Sequence, residues 1–462
     1  MHFKRIAFVL GLVLTLTVPT GVQVLAQIVS NDNTTLKQII IYGRHSIRSG
    51  TRSPEQLSKY ALDSYPPFSV LPGCLTDNGV QAETLLGAYF RQYLLYEGLL
   101  TGNDHTDSAQ SYFRSNSIER SWKTAAAFGL ALLPDTGAPV HSFQINPASQ
   151  PDPVFDPIAG GVANVDVNVA ATQAQEIFNS GAALQSAYSA EYSMISYVLW
   201  DNTQPPAGKT DPTTEQITLL PNTSSKLATG NVINPGGLSD VQDAIDPFVM
   251  QYCDNFDMSD VAWGRLTITP TLDQLSQETR IATLVADIEL RTPYLAQVQS
   301  SNAASHILRT MQQAVNGSTL RGSFGNAKSR IVVAISSDTY VAALAGLLNV
   351  HWQLPGYQQD FCAPGGALVF ELRQSNSTKQ YLVRVYYTAQ TFDQLRYLMP
   401  LTLNEPPATI QLMVPGGSKS ETDLDVDFSV FRQLVQNAIG KQYVQNPSTE
   451  VQPGILTGVT CQ

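Results

Sequence analysis

Charge is scarce in this chain. Asp, Glu, Lys and Arg make up 14% of its 462 residues, against an ordinary globular share of about 25%. What charge there is balances at −11, which argues against nucleic acid as a partner. Cysteine is scarcer still: Cys74, Cys253, Cys362 and Cys461, with no pair at zinc-ligand spacing. Beyond the first residues no apolar run is long enough for a membrane span. No internal repeat or coiled-coil heptad is present. These absences exclude nucleic-acid-binding, zinc-ribbon, membrane-spanning and solenoid classes.

The N-terminus carries an address. Lys4 and Arg5 precede an apolar run from Ile6 to Val18, and Val24-Leu25-Ala26 offers a cleavage site before Gln27. Residues 1–26 therefore read as a signal peptide, predicting a secreted, extracellular protein, or a periplasmic one in a bacterium, with no membrane attachment after cleavage. An even cysteine count in an exported chain predicts two disulfides, with three pairings open. Sequons at Asn33, Asn222, Asn316 and Asn376 fit a glycoprotein, whereas Asn446 is disqualified by Pro447.

Two segments share one grammar. Leu36 to Tyr42 is apolar, with a continuous Ile39-Ile40-Ile41 run suited to a strand buried on both faces. Arg44, His45, Arg48, Thr51 and Arg52 follow at once. Arg330 to Ile335 is a second such strand, followed by Ser336-Ser337-Asp338-Thr339 and a helical run from Tyr340 to Leu348. In open α/β sheets ligands bind beyond the carboxyl ends of strands. The plain alternatives are a solvated basic loop and an Asp serving as a helix N-cap.

The segment Arg44-His45-Ser46-Ile47-Arg48 resembles the RHGxRxP signature of the histidine acid phosphatases, the group that includes phytases. Leu75-Thr76-Asp77-Asn78-Gly79 resembles the family's LTxxG helix, and Arg114 to Ser121 its RSxxxRT segment. Asp152-Pro153-Val154-Phe155-Asp156-Pro157, Ala262-Trp263-Gly264-Arg265 and Pro364 to Glu371 are similar to the glucose-1-phosphatase and phytase branch. The resemblance spans nearly the whole mature chain.

It implies a hydrolase of phosphate monoesters, an acid phosphatase. His45 would be the nucleophile, forming a phosphohistidine, and Asp338 the proton donor. Arg44, Arg48 and Arg120 would grip the phosphoryl oxygens, with Ser337 beside them, and Thr51 and Arg52 would contact the rest of the substrate. No metal or cofactor is called for, since arginines supply the compensating charge. An acid donor predicts an acidic optimum. One departure is specific: the second signature is HD, and here it reads Ser337-Asp338. Losing one charge-assisted contact costs about 1.5–3 kcal/mol, so the alternative is a weak or inactive relative that binds phosphorylated ligands. Ser46 stands for glycine and Gly50 for proline, and Tyr340 reshapes the pocket. His105, His141, His306 and His351 offer no substitute.

The implied architecture is an α/β three-layer sandwich with a mostly parallel central sheet and an inserted, mainly α-helical cap. The divisions are 27–154 (core), 155–290 (cap) and 291–462 (core). Helical runs are expected over Ala171–Asn179, Ala187–Leu199 and Val241–Tyr252, and the polar stretch Asn202 to Pro235 as a surface excursion. Pro293 to Gln299 is poorer in arginine than the matching phytase segment, which leans toward smaller esters such as sugar phosphates and leaves inositol phosphates (phytate) open.

Overall fold

The computed structural model describes residues 33–143, 151–222, 231–269 and 271–461. The predicted signal segment lies outside them. Nine strands of the described residues form one sheet: β1 (Thr34–Arg44), β2 (Ser111–Ser115), β3 (Val140–Ser142), β4 (Ile331–Ser336), β5 (Ala367–Ser375), β6 (Tyr381–Ala389), β7 (Ala408–Gln411), β8 (Val426–Asp427) and β9 (Gly454–Leu456). Their order is β7-β6-β5-β1-β4-β2-β3-β9, with β8 also on β6. Parallel pairing is confined to the four middle strands, β1–β4, β4–β2 and β2–β3. The flanks are antiparallel.

The isoleucine run of β1 is explained by cover on both faces. Ile39 and Ile41 join Leu86, Phe90, Phe128 and Leu132 on one side. Ile40 and Tyr42 join a larger cluster with Leu308, Val341 and Leu344 on the other. The first layer is α1 (Asp77–Tyr96) with α2 (Glu119–Leu132). Thr76 caps α1, its hydroxyl accepting from Gly79 N at 3.0 Å.

The described residues of 155–290 add no strand to the large sheet. They form helices Val167–Phe178, Gly181–Ala187 and Ser189–Trp200, then α3 (Gly237–Cys253) and α4 (Gln274–Ala286). The second core part contributes α5 (Pro293–Asn316), α6 (Asp338–Leu348) and α7 (Phe428–Ala438). The α/β class is as expected, but the sheet is mixed and not mostly parallel: three of its pairings are parallel and five antiparallel, since β5 and β6 return on β1 as an antiparallel hairpin.

Two further expectations need correction. The stretch 202–235 is more than a surface excursion: Ile217–Pro221 pairs with Ile233–Gly236, and Ile217, Leu219, Val232 and Ile233 are buried. Alternating apolar residues there supply one inward face to a short hairpin. Of the two predicted disulfides one is present, Cys74–Cys461. Cys253 and Cys362 are buried free thiols, packed in the apolar interior as small hydrophobic side chains.

Candidate active site

The parallel register of β1 and β4 sets Arg44 opposite Ser336, so both strands end at one edge of the sheet. His45 N–H donates to Ser336 O at 2.9 Å. The two signature segments, nearly three hundred residues apart in sequence, therefore lie side by side. Ser337 is the N-cap residue of α6 and Asp338 its first residue; the Ser337 hydroxyl makes no capping hydrogen bond.

His45 is buried, with Nδ1 2.9 Å from the Ser46 carbonyl oxygen. A carbonyl only accepts, so Nδ1 carries the hydrogen and Nε2 is left with its lone pair. Burial, then the charges of Arg120, Arg44 and Arg48, holds the ring well below its ordinary pKa. A neutral imidazole with a free Nε2 lone pair is a chemically competent nucleophile.

The three arginines are held differently. Arg44 donates Nη1 to the Cys362 carbonyl and lies 3.3 Å from Asp338 Oδ2 through Nη2. Arg48 forks onto Asp246 of α3 at 2.9 and 2.7 Å. Burial alone would raise the Asp246 carboxyl, but the charge and hydrogen bonds of Arg48 outweigh it and hold it below its usual value. Arg120, on the first turn of α2, donates to Gly73 O at 3.2 Å. Its pKa is lowered to about 10 by burial and by Arg48. Among the described residues no carboxylate pairs with it, so its charge remains available to an anion.

A cavity of about 360 Å³ opens here. His45, Arg48, Thr51, Arg120, Ser337 and Asp338 line it, so six of the eight residues singled out from sequence share one wall. Arg44 lies behind that wall, gripping Asp338. Arg52 stands apart, half exposed and paired with Asp243 at 3.0 Å. Asp338 has a 43% exposed side chain, and its Oδ1 accepts from Thr339 N at 3.1 Å. Among the described residues no helix is long and apolar enough to cross a membrane.

Residues 69–388 match the model of the histidine phosphatase superfamily, branch 2. The chain belongs to that family. It is a phosphoric monoester hydrolase of the histidine phosphatase type. Among curated proteins it is 29% identical over 414 residues to the phytase AppA of Escherichia coli K12, covering 87% of this chain and 92% of that one. It is 25% identical over 392 residues to a glucose-1-phosphatase of Providencia rettgeri, covering 82% and 86%. Among solved structures, the Hafnia alvei phytase in complex with tartrate superposes with a TM-score of 0.78 at 24% identity, covering 90% of this chain and all of that one. The same enzyme with myo-inositol hexakis sulphate gives 0.77 at 23%.

The cavity of this histidine phosphatase also holds residues that sequence reading missed. Asp246 and Asp243 sit three apart on α3, a spacing that carries no signature. Asp156 lies within the quoted DPVFDP motif, yet nothing local marks it as a cavity residue. Burial pushes its carboxyl up, offset in part by hydrogen bonds from Ala159 N and the Tyr340 hydroxyl. Glu289 and Asp360 complete an acidic lining. Asp360 accepts from Trp352 N at 2.9 Å and lies 2.7 Å from His351 Nδ1. None of His105, His141, His306 and His351 lines the cavity.

Proposed function

We propose that this histidine phosphatase is a secreted acid phosphomonoesterase working through a phosphohistidine at His45. The observation that carries the reading is the Nδ1–H hydrogen bond to Ser46 O, which leaves Nε2 as the free nucleophile beside Arg48, Arg120 and Asp338. Nε2 attacks phosphorus while the bond to the ester oxygen breaks. The Asp338 carboxylic acid gives its proton to that leaving oxygen. Water then attacks phosphorus, the N–P bond breaks, and the Asp338 carboxylate takes the proton from water. Arg48 and Arg120 hold the phosphoryl oxygens throughout, with Arg44 set behind them against Asp338. Ser337 contributes one neutral hydrogen bond where the family signature has a histidine, which lowers the rate without removing a reacting group. Persistence of nucleophile, arginines and acid in one cavity favours an active enzyme over a ligand-binding relative.

Cavity charge supports a substrate with one phosphate. The arginines in the cavity lining, Arg48 and Arg120, both belong to the first phosphate's grip, while Asp156, Asp243, Glu289 and Asp360 add no cation for a second phosphate. Sugar phosphates fit this better than inositol polyphosphates, with Thr51 on the cavity lining. The segment 155–290 acts as the cap domain that shapes this choice. Export follows from the signal segment, and Asn33, Asn316 and Asn376 are exposed for glycosylation.

The test is phosphate release from p-nitrophenyl phosphate between pH 3 and 7, with His45→Ala as control. Activity that peaks in acid and vanishes in His45→Ala supports the reading; no release by the parent protein sinks it. Comparing kcat/KM on glucose-1-phosphate and inositol hexakisphosphate decides the substrate, and a preference for the latter would overturn the single-phosphate assignment.

A further inference from the structure

Gly79, Glu83 and Gly87 recur at four-residue spacing and so share one face of α1. The glycines mark where that face is pressed hardest. A Cβ on Gly79 would collide with the Ile47 carbonyl of the nucleophile loop, and one on Gly87 with the backbone of Phe128 in α2. Between them Glu83 is 2% exposed, and its Oε2 has no hydrogen-bond partner. Ser46 Oγ is also buried without a partner. Both oxygens border the notch at Gly365, whose φ is +69°: a Cβ there would lie 3.0 Å from Glu83 Oε2 and 3.6 Å from Ser46 Oγ.

Ser46 is tied to the nucleophile through its backbone. Its carbonyl receives the His45 Nδ1 hydrogen, its N–H donates to Thr124 Oγ1 at 3.1 Å, and Gly365 N–H donates to the His45 carbonyl at 3.0 Å. Its side chain, present where the signature has glycine, meets the same notch as Glu83. A carboxyl group buried without a cation keeps its proton, and burial pushes Glu83 well above the usual carboxyl range. Beside Gly366 the Tyr387 hydroxyl accepts from Ala363 N at 2.9 Å. Burial is the sole cause of the Glu83 shift.

We propose that Glu83 is a positioning residue for the nucleophile: its carboxylic acid hydroxyl donates through one water in the Gly365 notch to Ser46 Oγ, and so holds the Ser46 carbonyl against His45 Nδ1–H. The role rests on the reading of His45 as nucleophile. A neutral acid offers the one donor the serine needs, and Ser46 with Glu83 forms a unit that a glycine loop lacks.

The variants are Glu83→Leu, Glu83→Gln and Ser46→Gly in the Glu83→Leu background, assayed with p-nitrophenyl phosphate from pH 3 to 7. Glu83→Leu is expected to lower kcat about three- to tenfold, the worth of one buried hydrogen bond, with KM within about twofold and Tm at pH 6 raised by loss of a buried acid. Glu83→Gln keeps a donor and stays within about twofold of the parent. Adding Ser46→Gly costs nothing further, because the pair acts as a unit. Solvent exchange of the His45 Nδ1–H, read by NMR, should quicken in Glu83→Leu and not in Glu83→Gln. A folded Glu83→Leu with parental kcat and parental exchange overturns the proposal. Absence of phosphate release by the parent would instead strike the phosphatase reading, and the exchange measurement would still decide the positioning role.

Discussion

Arg48 sets both terminal nitrogens of its guanidinium on the two carboxylate oxygens of Asp246, at 2.9 and 2.7 Å, across 198 residues of sequence. The pair joins the loop after β1 to α3, so a helix from residues 155–290 orients Arg48, one of the arginines proposed to bind phosphate. A fork held this way presents its remaining face to the ligand at little entropic cost.

Asp246→Ala leaves Arg48 buried and unpaired. Breaking a buried pair from one side typically costs about 3–5 kcal/mol; Asp246 is partly exposed, so about 2–3 kcal/mol is expected here. kcat/KM should fall at least about tenfold as the guanidinium loses its orientation. Chemical denaturation and steady-state kinetics check both, and unchanged kinetics would detach α3 from the chemistry.

Arg120 is the member of the trio with no carboxylate partner among the described residues, and it should matter most for holding phosphate. Arg120→Ala is expected to cost about 1.5–3 kcal/mol of transition-state stabilisation, roughly one to two orders of magnitude in kcat/KM. Inhibition by inorganic phosphate should weaken in step. A variant that binds phosphate as the parent does would refute this assignment.

Ser337→His restores a charge-assisted donor at the N-cap of α6. The gain expected is about ten- to a hundredfold in kcat at pH 4–5. The Ser337 hydroxyl makes no capping hydrogen bond, so no capping interaction is lost and Tm should change little. A fall in activity would mean that Tyr340 and the cavity wall leave no room for the ring.

Rate against pH follows from His45. Burial and three arginines lower its pKa well below 6.5, so it remains neutral as the medium becomes acid. kcat/KM should therefore not decline between pH 6.5 and 4.5. A one-proton loss of activity centred near pH 6.5 would show a histidine titrating normally and would contradict the buried site.

Stability should favour acid as well. Glu278 of α4 is raised well above the usual carboxyl range by burial, then by Asp246 and Asp273. Asp254 and Asp287 are raised to about 6, each first by burial. A folded-state pKa above the unfolded one means that the folded state holds the proton more tightly. The stabilisation is full below the unfolded value, about 4, and is lost as pH rises through the folded value. Tm should fall between pH 4.5 and 7, and Glu278→Gln should flatten that slope. A Tm that climbs over this range would refute the account.

The site was legible in sequence where function is carried by contiguous residues. A strand, the RHSIR loop and the Ser337-Asp338 turn each announce themselves, because strand ends and helix starts are local events set by a few side chains. His45, Arg48, Arg120, Ser337 and Asp338 could thus be named before any coordinates. Arg52 could be named and yet turned aside, since its pairing with Asp243 depends on a helix from another part of the chain.

What tertiary structure decided are relations between distant segments. Parallel register of β1 with β4 brought His45 to Ser337. Packing of α3 set Asp246 on Arg48, and packing of α1 carried Glu83 beneath Ser46. The four cysteines left three pairings open, and only proximity joined Cys74 to Cys461 while burying Cys253 and Cys362 apart from any bridge. The acid-lined cavity is of the same kind: each carboxylate is unremarkable along the chain, and its charge acquires meaning only where the fold sets it in a confined, poorly solvated space.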